Sequence, residues 1–338
     1  MVFKRLFFLV TSLAFVLAAC SFPNRPALHD PNHLVIYSGR SESLVGPIID
    51  QFEETSGIRV DVRWGDTPEL AATLLEEGTN SPADVFFAQE PGGLGAVIEM
   101  LTPLPDDLLN QVAPRFRDPQ GRWVGISGRA RTIVYNTQSL SPADLPEDLW
   151  GLTADQWQGR IGWAPTNASF QTMITAMRAL WGQEETTRWL TEMLANDPIA
   201  YEKNTPIVAA VGVGEVDLGL VNHYYLYRFL QEEGESFPAR NYYLPDSGPG
   251  SLVMVAGAGI LETAPHPDPA EQFIDFLLSP VAQQYFATQT YEYPLVEGVV
   301  TARELPALAD LNATNIDLAD LADLQGTIAL LRETGVLP

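Results

Sequence analysis

Three times between residues 34 and 100 a short apolar run gives way to a helical pattern, and this alternation constrains the fold more than any other feature. Leu-Val-Ile-Tyr at 34–37 has the continuous apolar character of a buried strand, and a helix is predicted over 42–55. Ile58, Val60, Val62 and Trp64 alternate with Arg59, Asp61 and Arg63, the period-two pattern of a half-exposed strand. Thr67-Pro68 opens the next helix, because the N–H that proline lacks has no partner in a first turn anyway. A third strand is predicted over 83–87 and a third helix over 92–100. Such spacings fit crossover units and a mainly parallel sheet.

A second series begins near Arg131, with strands predicted at 132–135 and 160–163, a helix ending at Trp181 and another over 184–194. The strand 217–221 then leads into a helix that opens at Tyr224. Residues 251–256 read as a strand returning to the first body, followed by a helix over 269–278. The expected architecture is α/β, with two lobes of mainly parallel sheet flanked by helices. In such folds ligands bind in the cleft, beyond the C-terminal ends of the strands.

Residues 1–19 carry Lys4 and Arg5, an apolar run over 6–18, and Leu-Ala-Ala before Cys20, the pattern of a cleaved secretory signal. Cys20 is the only cysteine and stands where lipoprotein processing needs a thiol to acylate. Residues 20–33, with Pro23, Pro26 and Pro31, read as an extended tether from the lipid anchor. The expected location is extracytoplasmic, attached to the membrane through that anchor alone. The 43 acidic residues against 19 basic ones give a net charge of −24, and loss of Lys4 and Arg5 makes it more negative still. That sign argues against nucleic acid as a partner and against a protein lying flat on anionic lipid. One cysteine excludes an internal disulfide, and the histidines at 29, 33, 223 and 266 offer no pair at metal-ligand spacing.

The polar residues of interest fall at predicted strand ends. Ser41 follows the first strand, Gln89 and Glu90 the third, and Asn167-Ala168-Ser169 start a helix, where free N–H groups suit an anion or an ordinary N-cap. Arg129 and Arg131 lie at the passage between the bodies, suited to a surface ion pair or to a two-pronged grip on a carboxylate, carbonate or phosphate. Tyr224 and Tyr225 are adjacent phenols opening a helix, about 100° apart, so both can converge on one ion. The helix N-terminus favours phenolate, and Fe3+ is the natural hard partner of anionic oxygen. His223 is expected to point away from that site. Tyr227 is expected in the core, and Tyr242-Tyr243, placed in a loop-like stretch, in packing or at the rim.

Tyr-Ser-Gly-Arg at 37–40, Asn-Ser-Pro-Ala-Asp-Val-Phe-Phe at 80–87, Gly-Ile-Ser-Gly-Arg-Ala-Arg at 125–131, Ala-Pro-Thr-Asn-Ala-Ser-Phe at 164–170 and Val-Asn-His-Tyr-Tyr at 221–225 occur in this order. Together they resemble the bacterial ferric-ion-binding proteins, extracytoplasmic receptors of iron ABC transporters. The resemblance implies a monomeric, two-lobed periplasmic-binding-protein-like fold of the class II type, closing over Fe3+ with a synergistic anion such as carbonate, phosphate or citrate. It implies Tyr224 and Tyr225 as iron ligands, and Asn167, Ala168, Ser169, Asn204, Asn222 and Arg129 around the anion. The membrane permease and its ATPase are the implied partners. It also implies lobes of 34–129 with 255–304 and of 130–254 with 305–338. Relatives often carry a histidine where Ser41 and Glu42 stand, and some a glutamate where Gln89 stands. Some members also use a third tyrosine near Asn167, where this chain has none. Glu42 and Glu90 are candidate substitute ligands, both expected as exposed acids on the cleft rim. The alternative is a receptor for an oxyanion or small organic phosphate without metal. A hydrolase finds no support, as the chain has neither Gly-x-Ser-x-Gly nor His-Glu-x-x-His.

Overall fold

The computed structural model of the chain describes residues 31–302 and 305–338; the expectations for Lys4, Arg5 and Cys20 lie outside them. The three predicted units are present as β1 (His33–Ser38), α1 (Glu42–Ser56), β2 (Arg59–Trp64), α2 (Thr67–Glu77), β3 (Val85–Ala88) and α3 (Pro91–Ala96). β1 runs parallel to both β2 and β3. A one-turn helix, α4 (Asp106–Leu109), precedes the long strand β4 (Val124–Asn136). The second series contains β5 (Ile161–Trp163), α5 (Ala168–Trp181), α6 (Gln183–Ala195), β6 (Ile199–Ala200), α7 (Asn204–Val213), β7 (Leu218–Asn222), α8 (Tyr224–Glu233) and β8 (Ala239–Tyr242). The chain then returns through β9 (Val253–Ile260), α9 (Pro267–Leu278), α10 (Pro280–Gln289) and β10 (Tyr293–Pro294), and α11 (Leu324–Glu333) lies near its end.

β4 is the structural axis. Its first half pairs antiparallel with β9, down to Ala130 opposite Val253. One residue later Arg131 pairs with Asn222, and the second half belongs to β7 and β8. The sheet is therefore mixed rather than mainly parallel. β1, β2 and β3 are parallel to one another, as are β5, β6 and β7, but the strands that join the two groups are antiparallel. The reason is connectivity: β4 and β9 serve both halves, and a strand shared in this way cannot follow the crossover rule of either. Helices cover the sheet, giving a mixed α/β fold.

Apolar side chains divide into one cluster around β1, β3, β9, α9 and α10, and two around β4, α5, α6, α7 and β7. The terminal segment divides too. Leu305, Leu318 and Leu321 pack into the first cluster, while Leu330 and Leu331 of α11, with Val336 and Leu337 beyond it, pack into the second. That departs from the expected return of 305–338 to one lobe. Tyr242 also departs from expectation, since Ala239–Tyr242 is a strand paired with β4 and not a loop. Among the described residues no helix is long and apolar enough to cross a membrane.

Candidate functional site

The site assembles where β1, β3, β5 and β7 end and where β4 passes between the two halves of the sheet. Period-two alternation puts Ser127, Arg129 and Arg131 on one face of β4. Gly39 lets the β1–α1 connection approach α2, because a Cβ there would run into the Thr67 side chain. The Gly39 N–H bonds to the Phe87 carbonyl, and Thr67 Oγ1 accepts the Gln89 N–H at 2.9 Å, so the ends of β1 and β3 are tied together. This delivers Arg40 to the interior. Its Nη2 lies 2.7 Å from both carboxylate oxygens of Glu292, with both side chains fully buried. Glu292 also accepts Ser127 and Thr290 hydroxyls and stands 4.0 Å from Nε of Arg129.

Three guanidiniums are thus buried in one place, and each retains two nitrogens without a hydrogen bond: Nε and Nη1 of Arg40 and of Arg129, and Nε and Nη2 of Arg131. Arg131 donates its Nη1 to Oδ1 of Asn222 at 3.0 Å. Asn222 in turn donates to Ser169 Oγ and, through its backbone N–H, to Oδ1 of Asn204. Ser169, Asn204 and Asn222 therefore lie together, but the Asn222 amide is committed on both sides. Asn167 caps α5 by accepting the Ser169 N–H at 3.1 Å, and Ala168 is the first residue of that helix.

Tyr224 and Tyr225 open α8 directly beyond β7, with rings stacked at 4.3 Å between centroids. Tyr224 is 1 % exposed and its hydroxyl has no partner. Burial first, and then the neighbouring Tyr224, pushes the Tyr225 phenol well above its usual value, against the pull of Arg129 and Arg40. The expected preference of the helix N-terminus for phenolate is overruled here by desolvation, so a cation must displace the proton. Burial opposes the Arg40 charge, but Glu292, then the Tyr224 and Tyr225 phenols, outweigh it and hold the guanidinium above its usual value. Arg131, which pairs with no carboxylate, is drawn down by burial to about 9 and remains charged at neutral pH.

Glu90 corrects an expectation. It is buried rather than on the rim, with both carboxylate oxygens unpartnered. Burial raises it to about 6, against the pull of Arg129 and then Arg40. Ser41 and Glu42 remain exposed, Glu42 in the first turn of α1 and Ser41 with its hydroxyl on Ser43, because the buried position of the loop is taken by Arg40. Gln89 is half-buried, held through its backbone by Thr67. His223 spends both ring nitrogens on backbone, accepting from the Ala130 N–H and meeting the Tyr291 carbonyl at 2.7 Å. Among the described residues there is no group of three or more His, Cys, Asp or Glu side chains able to hold a metal.

Sequence reasoning missed Arg40 and Glu292 as site residues. Arg40 could have been found, since it follows a strand end in the motif at 37–40. Glu292 carries no such signal: it lies between two tyrosines after α10 and is named only by its partners.

Buried charge at the strand ends of an α/β fold, on both sides of a shared strand, defines a binding protein for a small charged solute. The chain belongs to the bacterial extracellular solute-binding proteins, whose family model matches residues 80–322, and among them to the ferric-ion-binding proteins. It is 35% identical over 308 residues to an Fe(3+)-binding periplasmic protein of Serratia marcescens, covering 90% of each chain. With a major ferric iron-binding protein of Neisseria meningitidis it shares 31% over 326 residues, covering 95% of this chain and 97% of the other. Iron-bound HitA from Pseudomonas aeruginosa superposes with a TM-score of 0.86 at 35% identity, over 90% of this chain and 99% of that one. A Trichodesmium protein in complex with iron and citrate gives 0.79 at 27% identity, again over 90% and 99%.

Proposed function

We propose that this chain is an extracytoplasmic receptor that binds Fe3+ with a synergistic anion and delivers it to the permease and ATPase of an ABC transporter. The observation that carries the reading is the stacking of buried Tyr224 on half-buried Tyr225 beside three buried guanidiniums with unspent N–H groups. Ferric ion displaces the phenol protons and takes the two oxygens of Tyr224 and Tyr225. Charge then calls for the anion. Arg40, Arg129 and Arg131 face only Glu292 and the partly protonated Glu90, and Fe3+ on two tyrosinates adds one more positive charge. Carbonate, phosphate or citrate offsets that excess and completes the metal shell with oxygen, gripped by guanidinium forks. Glu90, buried with both oxygens unpartnered and drawn on by Arg129 and Arg40, is the candidate for a further oxygen donor; Glu42, being exposed, is not.

In this reading the bodies 34–129 with 255–304 and 130–254 with the α11 end of 305–338 move about β4 and β9, and Cys20 carries the lipid. The pairing of β4 in both halves of the sheet supports the first part, and the leader sequence alone supports the second. The same unspent guanidinium nitrogens favour one second reading, an oxyanion or organic phosphate bound without metal. Ferric nitrilotriacetate with bicarbonate separates the two. The expected result is a visible tyrosinate-to-iron band that disappears when Tyr224→Phe and Tyr225→Phe are combined. A double variant that keeps wild-type iron affinity overturns the assignment, and a colourless wild type that binds phosphate alone establishes the second reading.

A further inference from the structure

Tyr291 lies between α10 and β10 with φ of 56°, one of two non-glycine residues in the left-handed region among those described. A bulky side chain holds that conformation only where surrounding contacts over-determine it. Here three contacts do so, and all three come from α8 and the residue that caps its start. The Tyr291 carbonyl meets Nε2 of His223 at 2.7 Å. Its ring stacks on Tyr227, centroids 4.9 Å apart and planes at 13°. Its hydroxyl accepts from the Gln231 amide at 2.8 Å. His223, Tyr227 and Gln231 are spaced by four residues, which lines them up along one face of α8 over successive turns.

That helix begins with Tyr224 and Tyr225, and its orientation decides where their oxygens point. The other nitrogen of His223 accepts from Ala130 N–H, at the residue where β4 passes from β9 to β7. On the other side of Tyr291, Glu292 holds Arg40 and Thr290 donates to Glu292. Residues 290–293 thus join the phenol helix, the shared strand and the buried arginines in one contiguous set of contacts. We infer that Tyr291 is a positioning residue for the Tyr224–Tyr225 pair: it fixes the rotation and depth of α8 against the 290–293 segment, so that both phenol oxygens meet the ion beside Arg40 and Arg129.

The inference rests on the iron reading, and its test separates the two. Tyr291→Gly keeps the left-handed backbone and its carbonyl while removing ring and hydroxyl. Tyr291→Phe removes only the hydroxyl, and Gln231→Leu only its donor. Each full-length protein is loaded with ferric nitrilotriacetate and bicarbonate, its visible band recorded, and iron loss to a chelator followed. Expected for Tyr291→Gly is a shifted or weakened band and iron loss about tenfold faster, a change that one mispositioned contact can produce. Tyr291→Phe and Gln231→Leu should lie between, and combining them should add nothing beyond either alone. Should Tyr291→Gly fail to fold, the Phe and Leu pair carries the same comparison. A wild type that takes no colour overturns both the iron reading and this inference. A coloured wild type whose variants keep its band and its rate within about twofold overturns the inference alone, even where their thermal midpoints fall.

Discussion

Two buried titrating groups, His223 and Glu90, lie on opposite sides of one charge balance. Burial brings His223 to about 4, so between there and its ordinary value of 6.5 the unfolded chain holds a proton that the folded one does not. Its contribution to stability is present at neutral pH and falls as pH falls through that window, by roughly 3 kcal/mol in all. Glu90, raised by burial to about 6, behaves oppositely: the folded protein holds the proton, and stability is lost as pH rises from 4.5 toward 6. That term amounts to roughly 2 kcal/mol and partly masks the first. Glu90→Gln should therefore steepen the loss of stability of the iron-free protein between pH 6 and 4.5, measured by urea unfolding. An unchanged pH profile would show that Glu90 is ionised in the fold. Arg129 gives a second test at this scale. With bicarbonate present, Arg129→Ala should weaken iron binding about tenfold or more although arginine cannot ligate the metal, and Arg129→Lys should restore only part, since a point charge lacks the fork. Equal affinity with and without bicarbonate, together with a silent Arg129→Ala, would place the remaining ligands on the protein, Glu90 first.

Elements were legible where burial and period agree. β1, β2, α1 and α2 formed close to the predicted residues because each has one clear face or one continuous apolar run. α7 was not read: Asn-Thr-Pro-Ile-Val-Ala-Ala-Val-Gly-Val is rich in β-branched residues and becomes helical because it packs between β7 and β4, with Pro206 tolerated in its first turn. Only the last part of β4 was expected, since Arg129, Arg131 and Ser127 look wrong for a strand buried along its whole length. They are tolerated because Glu292 and Asn222 meet them, and neither partner can be paired with them from the sequence alone. That pairing makes an element-scale prediction. Glu292→Gln leaves Arg40 buried without a countercharge, and breaking a buried pair in this way costs about 3–5 kcal/mol. The iron-free protein should lose stability on that scale in urea. Bicarbonate or citrate should restore part of it by supplying the missing negative charge. A loss below about 1 kcal/mol would mean that solvent reaches Arg40 and that the pair is not a dry one.

At the scale of the whole molecule, the site is closed to the ligand it is proposed to hold. Arg129 is 0 % exposed and Tyr224 1 %, while Tyr225 is half-buried, so in the proposed reading hydrated iron reaches both phenols together only when the two bodies joined through β4 and β9 separate. Loading is then an exchange of protons for metal across a closing cleft. Tyr225, raised by burial, is protonated in the iron-free protein at neutral pH, and Fe3+ must release one proton from each phenol it binds. Binding therefore weakens as pH falls, with the logarithm of the affinity changing by about two per pH unit once the chelator's own protonation is taken into account. His223 adds nothing to that slope above pH 5, being already neutral. Competition titrations against a ferric chelator between pH 5.5 and 7.5, with the scattering radius followed alongside, measure both halves of the argument. The expected result is a slope near two and a contraction when iron and anion bind together, with a slope near one for Tyr225→Phe. A slope near zero in the wild type would mean that the phenols keep their protons, and the guanidiniums would then be holding an anion without the metal.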